Sequence, residues 1–298
     1  MKKFIILFIV SIFIIALIIG QCDDDMSKMA EEESYEESNE FSGGQETGMI
    51  SSDVEEVKVE ANEVKFPQTL VINSIEIPKI LRDIPEQKIN RKAYTVSYNK
   101  ETKCPNWVAW YLSANHAAGE WARSNDYRED YDVPVPRATN DDYKESSWSR
   151  GHMCPAGDNK WDADAMSETF LLTNMCPQDR SLNSGLWNRI EMDCRKWAQK
   201  YGDVYIVCGP VFLKCEHETI GVNKVFVPEA FFKVILCLQG KPKAIGFVVR
   251  NNEGKKKRDQ FINTVDDVER ITGMDFFPAL PDSVEDVVEA YANLDDWR

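Results

Sequence analysis

Histidine is scarce in this chain: the 298 residues contain only His116, His152 and His217. That leaves little room for a metal centre built from several imidazoles, and it confines imidazole chemistry to three positions. Eight cysteines are present, but no C-x-x-C pair occurs, which argues against a structural zinc site. Basic charge is also short, with 35 Lys and Arg against 50 Asp and Glu, a formal net of −15. This balance argues against a tight electrostatic grip on long DNA of the kind a basic binding module makes. No internal repeat is visible, and strands and helices do not alternate regularly.

Most of the acidity lies near the N-terminus. Residues 23–65 carry 15 acidic and 3 basic side chains in runs such as Glu31-Glu32-Glu33, set among Ser and Gly. The segment has no apolar periodicity and is read as a disordered acidic tether. Residues 66–298 keep a net of only −5, which is compatible with a local basic cleft. Ahead of the tether, Lys2 and Lys3 precede an apolar run from Phe4 to Ile19, the pattern of a targeting signal over residues 1–22. Ile19-Gly20-Gln21-Cys22 resembles the lipobox of bacterial lipoproteins, in which Cys22 would be acylated. Gln21 is untypical there, so an uncleaved anchor or plain secretion are the alternatives. Each places the mature protein outside the cytoplasm, with the membrane touched only through that anchor. Seven cysteines then remain, an odd number, and disulfides are allowed in that compartment.

Residues 66–298 are long enough for one domain with a substantial core. Lys92–Tyr98, Asn106–Leu112, Asp203–Cys208, Ala230–Leu238 and Lys243–Arg250 read as strands, and Val265–Thr272 and Val284–Leu294 as helices. Glu168–Asn174 reads as a short strand, and residues 119–147 as a long polar surface loop. The fold class is α+β, an antiparallel sheet core with inserted helices.

Chemistry concentrates in residues 148–195. One imidazole (His152), two carboxamides (Asn174, Asn183), one carboxylate (Glu191) and two guanidinium groups (Arg150, Arg195) lie there. They suit phosphodiester cleavage: a base for water, hard oxygens for a cation, and fixed positive charge for phosphate. Leu186, Ile190, Cys194, Trp197 and Tyr201 recur at helical spacing and predict a helix over Leu186–Gln199, capped by Asn183 or Ser184. Trp187, Glu191 and Arg195 share a second face. Asn183, Glu191 and Arg195 can therefore address one cleft, with a hairpin carrying His152 packed across them.

Several motifs occur in order. They are Ser149-Arg150-Gly151-His152, Thr173-Asn174-x-x-Pro177-Gln178, Leu182-Asn183-x-Gly185-x-Trp187-x-x-x-Glu191, Gly209-Pro210, Val227-Pro228-x-Ala230-Phe231-Phe232-Lys233-Val234, and Val265-Asp266-x-Val268-Glu269 followed by Thr272-Gly273. The set resembles the DNA/RNA non-specific endonucleases, the family that includes mitochondrial endonuclease G. The resemblance implies a ββα-metal (His-Me finger) centre on an antiparallel sheet and a Mg²⁺-dependent endonuclease, with Mn²⁺ as a substitute. It also implies DNA and RNA as substrates and 5′-phosphate products. By position, His152 would be the general base, Asn183 the direct metal ligand, and Glu191 a partner of the metal through water. Arg195 and Arg150 would offset phosphate charge, and Asn174 would position His152 or the phosphate. An upstream arginine is also implied, and both Arg123 and Arg128 lie in the right region. The family signature usually opens with Asp, whereas this chain has Ser149.

Blander readings stand beside these. His116 and His217 are taken as structural, Asn183 could be a simple helix cap, and Glu191 with Arg195 could be an exposed i, i+4 pair. Lys255-Lys256-Lys257-Arg258 reads as a solvated loop or a phosphate-steering patch. Cys154 and Cys176 read as structural or disulfide cysteines. A homodimer is open as an assembly. Two other functions remain in view: a surface lipoprotein that binds nucleic acid without cutting, and a phosphodiesterase acting on small or envelope phosphodiesters.

Overall fold

The structure, a computed structural model, describes residues 74–298. The expected signal over 1–22, with Cys22, and the tether over 23–65 lie outside the described residues.

Nine strands carry the argument, in chain order β1 (Gln87–Asn90), β2 (Thr95–Asn99), β3 (Cys104–Leu112), β4 (Ser149–His152), β5 (Met175–Gln178), β6 (Val204–Val211), β7 (Ala230–Cys237), β8 (Lys243–Arg250) and β9 (Ile262–Asn263). All but β4 and β5 form one antiparallel sheet ordered β9-β8-β7-β6-β3-β2-β1. β7 is buried along its whole length, so both sheet faces are covered. Strand alternation sends Phe231 to one face, where it packs on Trp187, and Phe232 to the other, where it meets Phe276. The first face carries α1 (Asn188–Tyr201). On the second face, α2 (Val265–Thr272) and α3 (Asp282–Glu289) pack against β8. Among the described residues no helix is long and apolar enough to cross a membrane. The expected antiparallel α+β architecture is the one observed.

β4 and β5 pair antiparallel off the main sheet, with Gly151 opposite Cys176 and His152 opposite Met175. A Cβ on Gly151 would lie 2.4 Å from Gln178 Oε1, so only glycine allows this approach. Asn251 stitches the pair to the sheet and to the helix that follows. Its Nδ2 donates to the carbonyls of Pro177 and Pro228, and its Oδ1 accepts from the Asp179 amide.

Three local expectations change. Glu168–Asn174 is not a strand but the end of a helix (Ala163–Glu168) and a 3-10 turn (Leu172–Asn174), the true strand being β5. A short apolar run carries no periodicity to separate the two, and the Asn174 side chain decides it by binding backbone around the turn. The helix expected over Val284–Leu294 is α3, ending at Glu289; Asn293 then caps a separate 3-10 turn by accepting from the Asp295 amide. Cys104, Cys154, Cys176, Cys194, Cys208 and Cys237 are buried free thiols, so disulfide use is excluded for these six.

Candidate active site

The expected N-terminus of the central helix moves. Asp179, not Asn183, is the N-cap, accepting from the Leu182 amide. A helical turn (Arg180–Leu182) runs into a π turn (Asn183–Trp187) and then into α1. Within the π turn the Leu186 amide leaves the helix ladder and donates to Gly254 O, which presses within 2.7 Å of where a Cβ on Gly185 would lie. Wide turns of this kind recur at functional sites because they redirect one side chain without ending the helix. Here the redirected side chain is Asn183. Its Nδ2 donates to Ser149 Oγ at 3.3 Å, while Oδ1 accepts no hydrogen bond among the described residues. Ser149 Oγ in turn donates to Gln178 O. The signature position occupied by Ser149 therefore steadies Asn183 rather than the imidazole.

Asn183, Ser149, Arg150, Tyr127, Arg180 and Lys144 line a cleft of about 660 Å³. Arg150 stacks on Tyr127, 4.0 Å from its ring, and donates to Asn140 Oδ1. His152, on the same strand face as Arg150, is 7% exposed and packs against Phe170 and Tyr127 at ring distances of 5.0 and 5.7 Å. Its Nε2 is enclosed with no hydrogen-bond partner. Burial, reinforced by Arg123 and Arg150, pushes the imidazole down to about 3, so it is neutral throughout the ordinary pH range. The upstream arginine beside it is Arg123, which lies over Phe170 at 4.8 Å and donates to Tyr127 Oη. Arg128 is held elsewhere by Asp126 and Ser167 O.

Asn174 is fully buried and spent on backbone: Oδ1 accepts from the Cys154 amide, and Nδ2 donates to Cys154 O and Thr169 O. It sets the chain just after His152 and cannot also reach a phosphate. Arg195 likewise pairs at 2.7 Å with Asp158, whose other oxygen accepts from Trp110 Nε1. The expected role of Arg195 as a phosphate ligand thus gives way to that of a half-buried anchor on Asp158. Trp187 is wholly buried, so its face of the helix is core as well.

Glu191 is half-buried and makes no hydrogen bond or ion pair among the described residues. Burial, partly offset by Lys233 and reinforced by Asp158, raises it to about 7. Lys233 is completely buried on β7, with its Nζ 4.7 Å from the Trp187 ring and 5.0 Å from the Trp110 ring, and beside the Cys208 thiol. Burial alone would lower it, but the acidic groups around it, Cys208 and Glu191 foremost, raise it. It is a fixed cation beneath the site. The reading from sequence gave Lys233 no role, although one charge inside the run Phe231-Phe232-Lys233-Val234-Ile235-Leu236 was a signal. Asp158, Tyr127 and Asn140 had none, because each arrives through a long-range contact.

His116 stacks on Trp161 and His217 bonds Glu229, both structural. Cys154 and Cys176 are inert, their thiols driven well above the ordinary range by burial. In the basic run, Lys256 pairs with Glu253 and Arg258 with Asp193, while Lys255 and Lys257 stay exposed.

Residues 75–283 match the DNA/RNA non-specific endonuclease family, which is more than half of the chain. The chain belongs to that family. It is 40% identical over 217 residues to the mitochondrial nuclease EXOG of Danio rerio, covering 66% of this chain and 63% of that protein. It is 32% identical over 204 residues to human mitochondrial endonuclease G, covering 63% and 69% respectively. Its fold matches the crystal structure of an EndoG/EndoGI complex with a TM-score of 0.64 and 29% identity, over 67% of this chain and 89% of that one. The chain thus spans less than two thirds of the length of the EXOG relative. In this domain Arg150 lines the cleft with Asn183 and acts on His152, while Arg123 acts on both His152 and Glu191.

Proposed function

We propose that the protein is an exported, divalent-metal-dependent endonuclease that hydrolyses DNA and RNA with little sequence preference, leaving 5′-phosphate ends. Family membership supports a nuclease and a divalent metal. The observation that carries the reading is the neutral imidazole of His152 flanked by Arg123 and Arg150, with Arg150 sharing a cleft with Asn183 and Arg123 acting on Glu191 as well. That donor set fits a hard cation: Asn183 Oδ1 would ligate it, Glu191 would contact it through water, and most positions would be left to water and phosphate, as suits Mg²⁺ or Mn²⁺. Such an ion supplies charge stabilisation for the phosphate and the departing oxygen.

The chain's own residues do the rest. Nε2 being enclosed, His152 takes a proton from water through Nδ1. A phosphodiester between Arg123 and Arg150 offsets the charge that depresses the imidazole, so basicity rises when substrate is present. Phe170 and Tyr127 exclude water from the far side of the ring, and Asn174 fixes the turn that follows it. Export through the N-terminal signal, with Cys22 lipidated, completes the reading.

Only when ionised does Glu191 offer both oxygens as charged acceptors to metal-bound water. With its value near 7 and that of His152 near 3, the acid limb of the pH–rate profile belongs to Glu191, and activity rises as pH passes through neutrality. Lys233→Met removes the cation that opposes Glu191 protonation. The limb should then move up by ~1–2 pH units, with activity recovering at high pH. A uniform loss at every pH would assign Lys233 a packing role alone. The substrate class is tested by comparing long DNA and RNA with a small nitrophenyl phosphodiester at saturating Mg²⁺. Turnover should favour the polymers, whereas a preference for the small diester would point to an envelope phosphodiesterase.

A further inference from the structure

On the sheet face opposite Lys233, carboxylates gather with no ion-pair partner among the described residues. Gly246 of β8 lies opposite Val234 and against Val268 of α2, which puts α2 on the Phe232 face. Asp266 and Glu269 of α2 and Glu289 at the end of α3 bring carboxylate oxygens within 4.8 Å of one another. No ion pair among the described residues involves any of the three, and the nearby Arg270 is spent on Asp267. Glu289 is only 6% exposed, and its Oε1 is enclosed with no hydrogen-bond partner. Glu285 Oε1 is enclosed in the same way. Glu269 keeps one oxygen on the Phe276 amide, and Asp266 opens to solvent.

We propose that Asp266, Glu269 and Glu289 form a structural Ca²⁺ site that ties α2 to α3, separate from the catalytic cleft. Three carboxylates this close cannot all stay ionised without a cation or a shared proton. Glu289 also ends a helix, where the dipole opposes negative charge. With no cation, burial and the neighbouring carboxylates raise Glu289 to about 9 and Glu269 to about 7. The donors are all oxygens, which excludes the sulfur and nitrogen sets that select zinc. Ca²⁺ accepts six to eight oxygens in flexible geometry, and the exposed side at Asp266 leaves room for water. Mg²⁺ demands a stricter octahedron than three side chains on two helices provide. Sites of this openness bind at ~10⁻⁴–10⁻³ M, a concentration met outside cells.

The test is thermal unfolding of the full chain at about pH 8 in EDTA, in Mg²⁺ alone, and in Mg²⁺ plus Ca²⁺, for wild type, Glu289→Gln and Asp266→Asn. Ca²⁺ at roughly fifty times its Kd should raise the wild-type Tm by about 5 °C over Mg²⁺ alone. Both variants should lose that increment, and Glu289→Gln in EDTA should melt no lower than wild type, since Gln stands in for a carboxyl that is mostly protonated at that pH when no cation is bound. Plasmid cleavage at saturating Mg²⁺ should stay within about twofold in both, because neither residue lines the cleft. No Ca²⁺ increment in wild type, or an equal increment in the variants, overturns the site. Asp266 is exposed, so Asp266→Asn decides the matter even if Glu289→Gln folds poorly.

Discussion

His152→Ala is expected to lower plasmid cleavage by about 10²- to 10⁴-fold, the usual worth of a positioned general base. The ring fills space against Phe170 and Tyr127, so its removal should also cost about 1–3 kcal/mol of stability. That cost lowers Tm but leaves the protein folded at assay temperature, and circular dichroism would confirm it. Added imidazole separates the two roles. If His152 supplies a base, free imidazole should restore part of the rate through the vacated space, and the rescue should follow the unprotonated fraction of the buffer. A purely structural histidine would give a damaged enzyme that imidazole does not rescue.

Asn183→Ala carries the second large effect. Among the described residues lining the cleft, its Oδ1 is the one carboxamide oxygen with no hydrogen-bond partner, and Ser149 holds the amide in that orientation. Losing it should reduce the rate by at least ~10²-fold and raise the metal concentration needed for half-maximal cleavage. Ser149→Ala leaves the ligand but not its orientation and should cost about tenfold, with the same shift in metal requirement. A loss with unchanged metal dependence would return Asn183 to being a helical residue of no special role. The π turn makes that outcome informative: helical geometry is kept through Asn183, so Ala there should not unwind the helix.

The sequence carried the sheet well, because β6, β7 and β8 are apolar runs with a turn at Gly240 and their pairing follows from alternation. Motif order also singled out His152, Asn183 and Glu191 as candidates. The sequence could not carry what each side chain touches. Arg195 read as a phosphate contact or as an i, i−4 partner of Glu191, but its partner is Asp158, 37 residues away. Asn174 looked like a phosphate or base contact, yet its three hydrogen bonds go to backbone. Asn183 looked like a cap because amides favour that position, while Asp179 takes the cap and a π turn, invisible to a 3.6-residue period, re-aims the amide. Residues 119–147 read as surface loop, but they deliver Arg123, Tyr127 and Asn140 to the cleft. Irregular chain has no pattern from which such a destination can be read.

The most direct measurement is metal-titrated digestion of supercoiled plasmid and of RNA by the full chain, with His152→Ala alongside. Wild type should cut both polymers when Mg²⁺ or Mn²⁺ is added and neither in EDTA, while the variant binds but leaves them almost intact. Cleavage that persists in EDTA, equal cleavage by His152→Ala, or binding without cleavage under every divalent ion would contradict a histidine base working beside a cation at Asn183.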